Sequence, residues 1–183
     1  MGNLSKSSNT IERVEGMNKA ALQEFLAFSR RKTLELLEAI VKRAEAPAIL
    51  GWRPGAGRAH IAWQLMHIAA TDDRHLHVRM RGGEPRHPDY VRRFAGGSVP
   101  DDEPVSGDEI RRYLNAQRGE LLDHLGRLSE SDLSIKPNEQ APWAYGEWFQ
   151  VLAWHEAHHQ GQAHLTLNLY RGANDPAMTK VGH

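Results

Sequence analysis

Four stretches of this 183-residue sequence repeat apolar residues every three to four positions, and none alternates apolar with polar as a half-buried strand does. That pattern restricts the chain to helices packed on helices. From Asn18, read as a cap, Leu22, Leu26, Leu34, Leu37, Ile40 and Val41 mark one face of a first helix as far as Pro47. Gly51 to Gly57 reads as a loop, and a second helix runs from about Ala59 to Arg81, closed by Gly82-Gly83. Ser106-Gly107-Asp108-Glu109 has the form of a capping box and opens a third helix carrying Ile110, Leu114, Leu121 and Leu125. The fourth spans about Ala144 to Tyr170 and stops at Gly172. Helices of about 22 to 28 residues, roughly 33 to 42 Å long at 1.5 Å per residue, predict an all-α four-helix bundle.

One domain is expected over residues 17–172, after a polar segment at 1–16 that frays and before a loosely attached tail at 173–183. Residues 82–105 form a long crossover between helices two and three, rich in Pro and Gly and without a sustained period. Loops beyond about 15 residues are usually functional or disordered. Here Tyr90, Val91 and Phe94 are expected to pack back onto the body.

Formal charge is zero and charges of both signs are interspersed, so no field points to nucleic acid. No run is long and apolar enough to span a membrane, and Met1 to Glu15 lacks the apolar core of a signal peptide, which points to the cytoplasm. The lack of cysteine removes disulfides, thiolate metal sites and a cysteine nucleophile together.

The chemistry concentrates in Trp154-His155-Glu156-Ala157-His158-His159-Gln160-Gly161-Gln162. His155 and His159, four apart, share one helix face with Trp148, Val151, Leu152, Gln162 and Thr166. They therefore continue the seam that faces the bundle interior. Neutral imidazoles buried without partners are costly, and a transition metal removes that cost. The same letters satisfy the zinc-protease pattern H-E-x-x-H. A peptidase needs a third ligand downstream, yet no Glu follows His159, and Gly161 and His164 each miss the longer pattern by one residue. On a helix that error is about 100°. The peptidase reading is set aside.

A third ligand must then come from upstream. His67, within Ala62-Trp63-Gln64-Leu65-Met66-His67-Ile68-Ala69-Ala70, has apolar neighbours on both sides. His60, His75, His77 and His124 lie near helix ends or among charges and read as solvated. His75 and His77 with Asp72 and Asp73 make a weaker rival site.

In these two places the chain resembles the DinB/YfiT-like metal-binding four-helix bundles: a helix-two run ending in histidine, and a helix-four H-x-x-x-H followed by Gly-Gln. The resemblance covers about residues 18 to 171 and implies that His67, His155 and His159 are three metal ligands. His158 matches a position often histidine in the family without being a ligand. Gln160 stands where many members carry arginine, so a substrate contact by that arginine does not carry over.

Three imidazoles leave a coordination position open, as catalytic metal sites do. Without thiolates the site suits zinc or nickel, then iron or copper. Gln64, Thr71, Gln162 and Glu156 are candidate partners for the imidazole N–H groups or for proton transfer. Some relatives resemble thiol S-transferases, which implies activation of a low-molecular-weight thiol held as a small-molecule substrate. Activation of water would instead give a hydrolase or isomerase. A second reading is a non-catalytic stress-response or binding bundle held together by metal; a third is a bundle whose histidines only pack. Residues 53–93 hold eight arginines against four acids, and Arg74, Trp63 and Tyr90 are candidate substrate contacts. Phe94, Trp143 and Trp148 are further wall candidates. The resemblance, with the apolar outer faces of long helices, implies a homodimer.

Overall fold

Three of the four long helices begin on a side chain that accepts from an otherwise unpaired amide of the first turn. The computed structural model describes residues 17–174. Helix α1 (Lys19–Val41) is capped by Asn18, whose side chain accepts from Ala21 N at 2.9 Å. Helix α3 (Ile61–Asp73) is capped by His60, whose Nδ1 accepts from Trp63 N at 3.0 Å. Helix α5 (Gly107–Arg127) starts on Ser106, whose Oγ accepts from Glu109 N at 3.3 Å. Before α6 (Tyr145–Asn174), Ala144 N donates to the Glu147 carboxylate at 2.9 Å.

Two shorter α-helices complete the set. Helix α2 (Ala46–Gly51) follows the turn after α1, and α4 (Pro88–Phe94) lies within the crossover. There is no strand among the described residues. None of the helices is long and apolar enough to cross a membrane. The expected segment 1–16 lies outside the described residues, as does the expected tail at 173–183 except for residues 173 and 174, which belong to α6.

Helix α3 continues without a break into a π-helical stretch, Arg74–Met80. The second helix of the sequence pattern is therefore α-helical for its first 13 residues and π-helical for the next seven. Three other boundaries differ from expectation. Gly172 does not end α6, which runs to Asn174; a helix tolerates glycine at a modest cost, and the sequence signal was only that preference. The crossover holds α4 instead of being wholly irregular. The capping box at Ser106 is only half formed, because the Glu109 carboxylate accepts the Tyr90 hydroxyl rather than reaching back to the cap.

The long helices form a ring in which α1 touches α5 and α6, and α3 touches the same two. Apolar packing falls into two layers along the bundle. Leu37, Ile40, Leu65, Ile110 and Leu114 belong to one, and Leu22, Leu26, Leu121, Phe149 and Leu152 to the other. Between these levels every long helix contributes one buried charge: Arg30 from α1, Asp72 from α3, Arg118 from α5 and Glu156 from α6.

The crossover is tied down rather than free. The Asp73 carboxylate, fully buried, accepts Arg86 N at 2.8 Å, His87 N at 3.0 Å and the Tyr113 hydroxyl at 2.9 Å. Phe94 enters the core, with Tyr90 and Val91 packed against it. Farther on, Arg93 pairs with Asp101, and His60 Nε2 donates to the Asp101 carbonyl at 3.0 Å. His60 and His77 are thus buried, not solvated. His60 both caps α3 and anchors the crossover, and His77 Nε2 lies 3.1 Å from Glu120.

Candidate metal centre

His67 is on the inward face of α3, and His155 and His159 are one turn apart on α6. The α3–α6 contact brings one nitrogen of each ring within 4.8 Å of the others. His67 Nε2 and His155 Nε2 are 3.1 Å apart. Ring centroids lie 4.9 Å apart for His67 and His155, and 4.5 Å apart for each pairing with His159.

The free nitrogens are selected by what the opposite nitrogens do. His67 Nδ1 donates to the Phe94 carbonyl at 2.6 Å, so Nε2 carries the lone pair. His159 Nδ1 donates to Gln64 Oε1 at 2.6 Å, which likewise frees its Nε2. Trp63 stacks on the His67 ring at 4.8 Å with the planes 10° apart and holds its tilt.

Burial keeps these rings neutral. It lowers the His67 pKa, the Phe94 hydrogen bond opposing only in part. Burial, with the neighbouring His159 and His67, pushes His155 down to about 2. Burial, then His67 and His158, pushes His159 down to about 4. Neutral imidazole is the form that binds metal.

The donor set fits a divalent transition ion. Two nitrogens on one tetrahedral zinc at 2.0–2.1 Å stand about 3.3 Å apart, close to the 3.1 Å between His67 and His155. Partners that orient His67 and His159 are already in place, as metal-binding histidines require.

Several expected participants are elsewhere. Glu156 is fully buried with its carboxylate on Arg30 Nε at 2.7 Å and Arg118 Nη2 at 2.6 Å. Burial alone would raise its pKa, but the two guanidinium groups hold it below the usual carboxylate range. Next to His155 in sequence, it turns about 100° away around the helix and serves the charge quartet. Gln162 bonds His158 Nε2 at 2.7 Å, on the exposed side. The Thr71 carbonyl accepts from His75 Nδ1, not from one of the three histidines. Tyr90 lines a separate hollow of about 180 Å³ with His87, Glu109 and Tyr113. The rival site at Asp72, Asp73, His75 and His77 does not assemble, since both carboxylates are taken by arginines or by the crossover backbone.

Two contributors were not singled out from the sequence. One is the Phe94 carbonyl, a backbone atom without a side-chain signature. The other is a cavity of about 260 Å³ lined by His67, His155, Arg74, His75, Trp143 and Leu152, with Ala95 and Gly96 of the crossover. His67 and His155 face it while His159 does not.

Comparison with known proteins agrees with this architecture. The crystal structure of a conserved protein from Enterococcus faecalis superposes with a TM-score of 0.61 at 19% identity, covering 85% of this chain and 99% of that one, a likeness of fold. No protein of curated function matches the sequence. The family model described as the DinB superfamily matches residues 25–163, a span that takes in the three histidines and the charge quartet. The chain belongs to the DinB superfamily.

Proposed function

We propose that the protein is a metalloenzyme whose three-histidine centre activates a small thiol or a water molecule, with thiol S-transfer as the first reading and hydrolysis as the second. His67, His155 and His159 hold the ion, zinc or nickel by preference. The observation that carries this reading is the convergence of three neutral imidazole nitrogens within 4.8 Å beside a cavity that only two of the rings face. A divalent ion in that position supplies Lewis acidity and lowers the pKa of a bound thiol or water.

The rest falls to the chain itself. Phe94 and Gln64 fix the tautomers, and Trp63 fixes the plane of His67. Trp143, Leu152 and the crossover residues Ala95 and Gly96 restrict bulk water to one small chamber. Preorganised rings need no rearrangement when ligand enters.

A closed, purely structural centre needs a fourth protein ligand. Glu156 was the acid best placed in sequence, and Arg30 and Arg118 engage it elsewhere. From the crossover, Phe94 directs its carbonyl to a histidine N–H. Both facts favour the open, catalytic reading over a metal-stapled bundle.

The test has two stages. Metal content is measured on untagged wild type and on His67→Ala and His155→Ala; one ion per chain, lost in both variants, is expected, and a metal-free wild type removes the proposal. A panel of low-molecular-weight thiols is then offered with a generic electrophile to metal-loaded and chelated protein. Turnover with one thiol, only when loaded, supports S-transfer, and turnover with none shifts the reading to hydrolysis.

A further inference from the structure

The cavity beside the histidines is also lined by Thr71, Arg74 and His75, polar residues that metal binding does not use. Arg74 and His75, consecutive residues at the start of the π-helical stretch, both line it. Most other arginines of the crossover region have internal partners. Arg53 donates to the Pro100 carbonyl, Arg81 and Arg86 approach Glu120, Arg92 pairs with Asp89 and Arg93 with Asp101. Arg74 has no ion-pair partner among the described residues, though it stands at the wall of a half-enclosed chamber. A cation in such a place attracts an anion, and guanidinium matches carboxylate in a two-pronged fit.

His75 narrows the choice. Its Nδ1 donates to the Thr71 carbonyl at 2.8 Å, so Nε2 is left with a lone pair. Trp148 holds the ring edge-on at 4.9 Å. Burial first, then the positive charges of Arg74 and Arg79, lower the pKa of this ring against the opposing Thr71 hydrogen bond, so Nε2 acts as an acceptor. A lone-pair acceptor repels a bare carboxylate oxygen but welcomes O–H or N–H. An ammonium donor is disfavoured beside Arg74 by like charge.

We propose that this cavity binds a small carboxylate bearing a neutral hydrogen-bond donor next to the carboxyl group, with Arg74 holding the carboxylate and His75 accepting from the donor. Hydroxy acids and N-acylamino acids share that chemistry. Apart from Thr71 and Gly96, the remaining lining, Ala70, Ala95, Trp143, Val151 and Leu152, is apolar and suits a short hydrocarbon portion. The inference rests on the proposed metal function only in making this ligand the second reactant; the two contacts themselves need no metal.

The full chain, chelated and metal-loaded, is titrated with glycolate and with N-acetylglycine by calorimetry, and the His75 ring nitrogens are followed by NMR. Acetate lacks the donor and N-acetylglycinamide lacks the carboxylate. Glycolate, N-acetylglycine or both should bind more tightly than either control and shift His75 Nε2, in chelated protein as well as loaded. Binding of one alone identifies the donor as hydroxyl or amide. Arg74→Gln should weaken binding by about tenfold or more, as loss of a charge-assisted hydrogen bond does, with Arg74→Lys recovering part. His75→Phe should reduce the preferred ligand to the level of acetate. Equal affinity for acetate and both probes, no binding by any, or an unchanged Arg74→Gln overturns the proposal. Metal content of the same samples separates the outcomes: ligand binding by a protein that takes up no metal when loaded overturns only the metalloenzyme reading, and metal uptake without ligand binding overturns only this one.

Discussion

Glu156 accepts a hydrogen bond from Arg30 Nε at 2.7 Å, although its chain neighbour His155 lies 3.1 Å from His67 on another helix. Consecutive residues of α6 thus serve two different buried sites. A sequence that spells H-E-x-x-H therefore has its glutamate in a structural network and its histidines in a separate centre. In a zinc peptidase that glutamate would be the general base, but here two guanidinium groups surround it.

Removing one member of the charge quartet leaves the others buried and unbalanced. Glu156→Gln or Asp72→Asn should each destabilise the fold by about 3–5 kcal/mol, the usual cost of breaking a buried ion pair from one side. Denaturant unfolding measures this. Metal stoichiometry should stay at the wild-type value in any variant that still folds, and its loss in folded Glu156→Gln would return the glutamate to the metal centre.

Gln64→Ala deletes the acceptor that fixes His159 and leaves its Nε2 in place. Metal affinity should fall about 10–100-fold, as it does when an orienting partner is removed. Competition with a chelator reads the change, and Gln162→Ala, whose partner is His158, should leave affinity at the wild-type level.

Acid should destabilise the metal-free protein through these histidines. Folded pKa values of about 4 for His159 and about 2 for His155 lie below the ordinary 6.5. Below pH 6.5 the unfolded chain binds protons that the folded chain refuses, so stability falls as pH drops from about 6.5 toward 4. Above pH 6.5 both states are neutral at these positions and the effect vanishes. Denaturant midpoints of chelated wild type should fall more steeply than those of His159→Phe as pH drops across that range, and equal slopes would clear the histidine of responsibility.

His60 joins α3 to the far end of the crossover. His60→Ala removes the helix cap and the bond to Asp101, and should cost about 1–2 kcal/mol, the range for loss of a strong cap. His60→Asn keeps a cap acceptor but shortens the reach, so it should recover part. Thermal unfolding gives the comparison.

Much of this molecule is legible along the chain because its helices are local objects. The periodicity of Leu22 to Ile40, the caps at Asn18 and Ser106, and the four-residue spacing of His155 and His159 follow from 3.6 residues per turn, and neighbours in sequence determine them. His67 was also recognisable, since a histidine set in an apolar run needs a buried partner. Tertiary packing decided the rest. Only the meeting of four helices makes a quartet of Arg30, Asp72, Arg118 and Glu156; the sequence offered Glu156 and Asp72 for other sites and did not single out Arg30 or Arg118. Only the returning crossover delivers the Phe94 carbonyl to His67, and only the wall it builds leaves Arg74 and His75 facing a chamber. Such partners come from segments tens of residues apart, and burial, which assigns each charge its role, is a property of the assembled bundle and not of its letters.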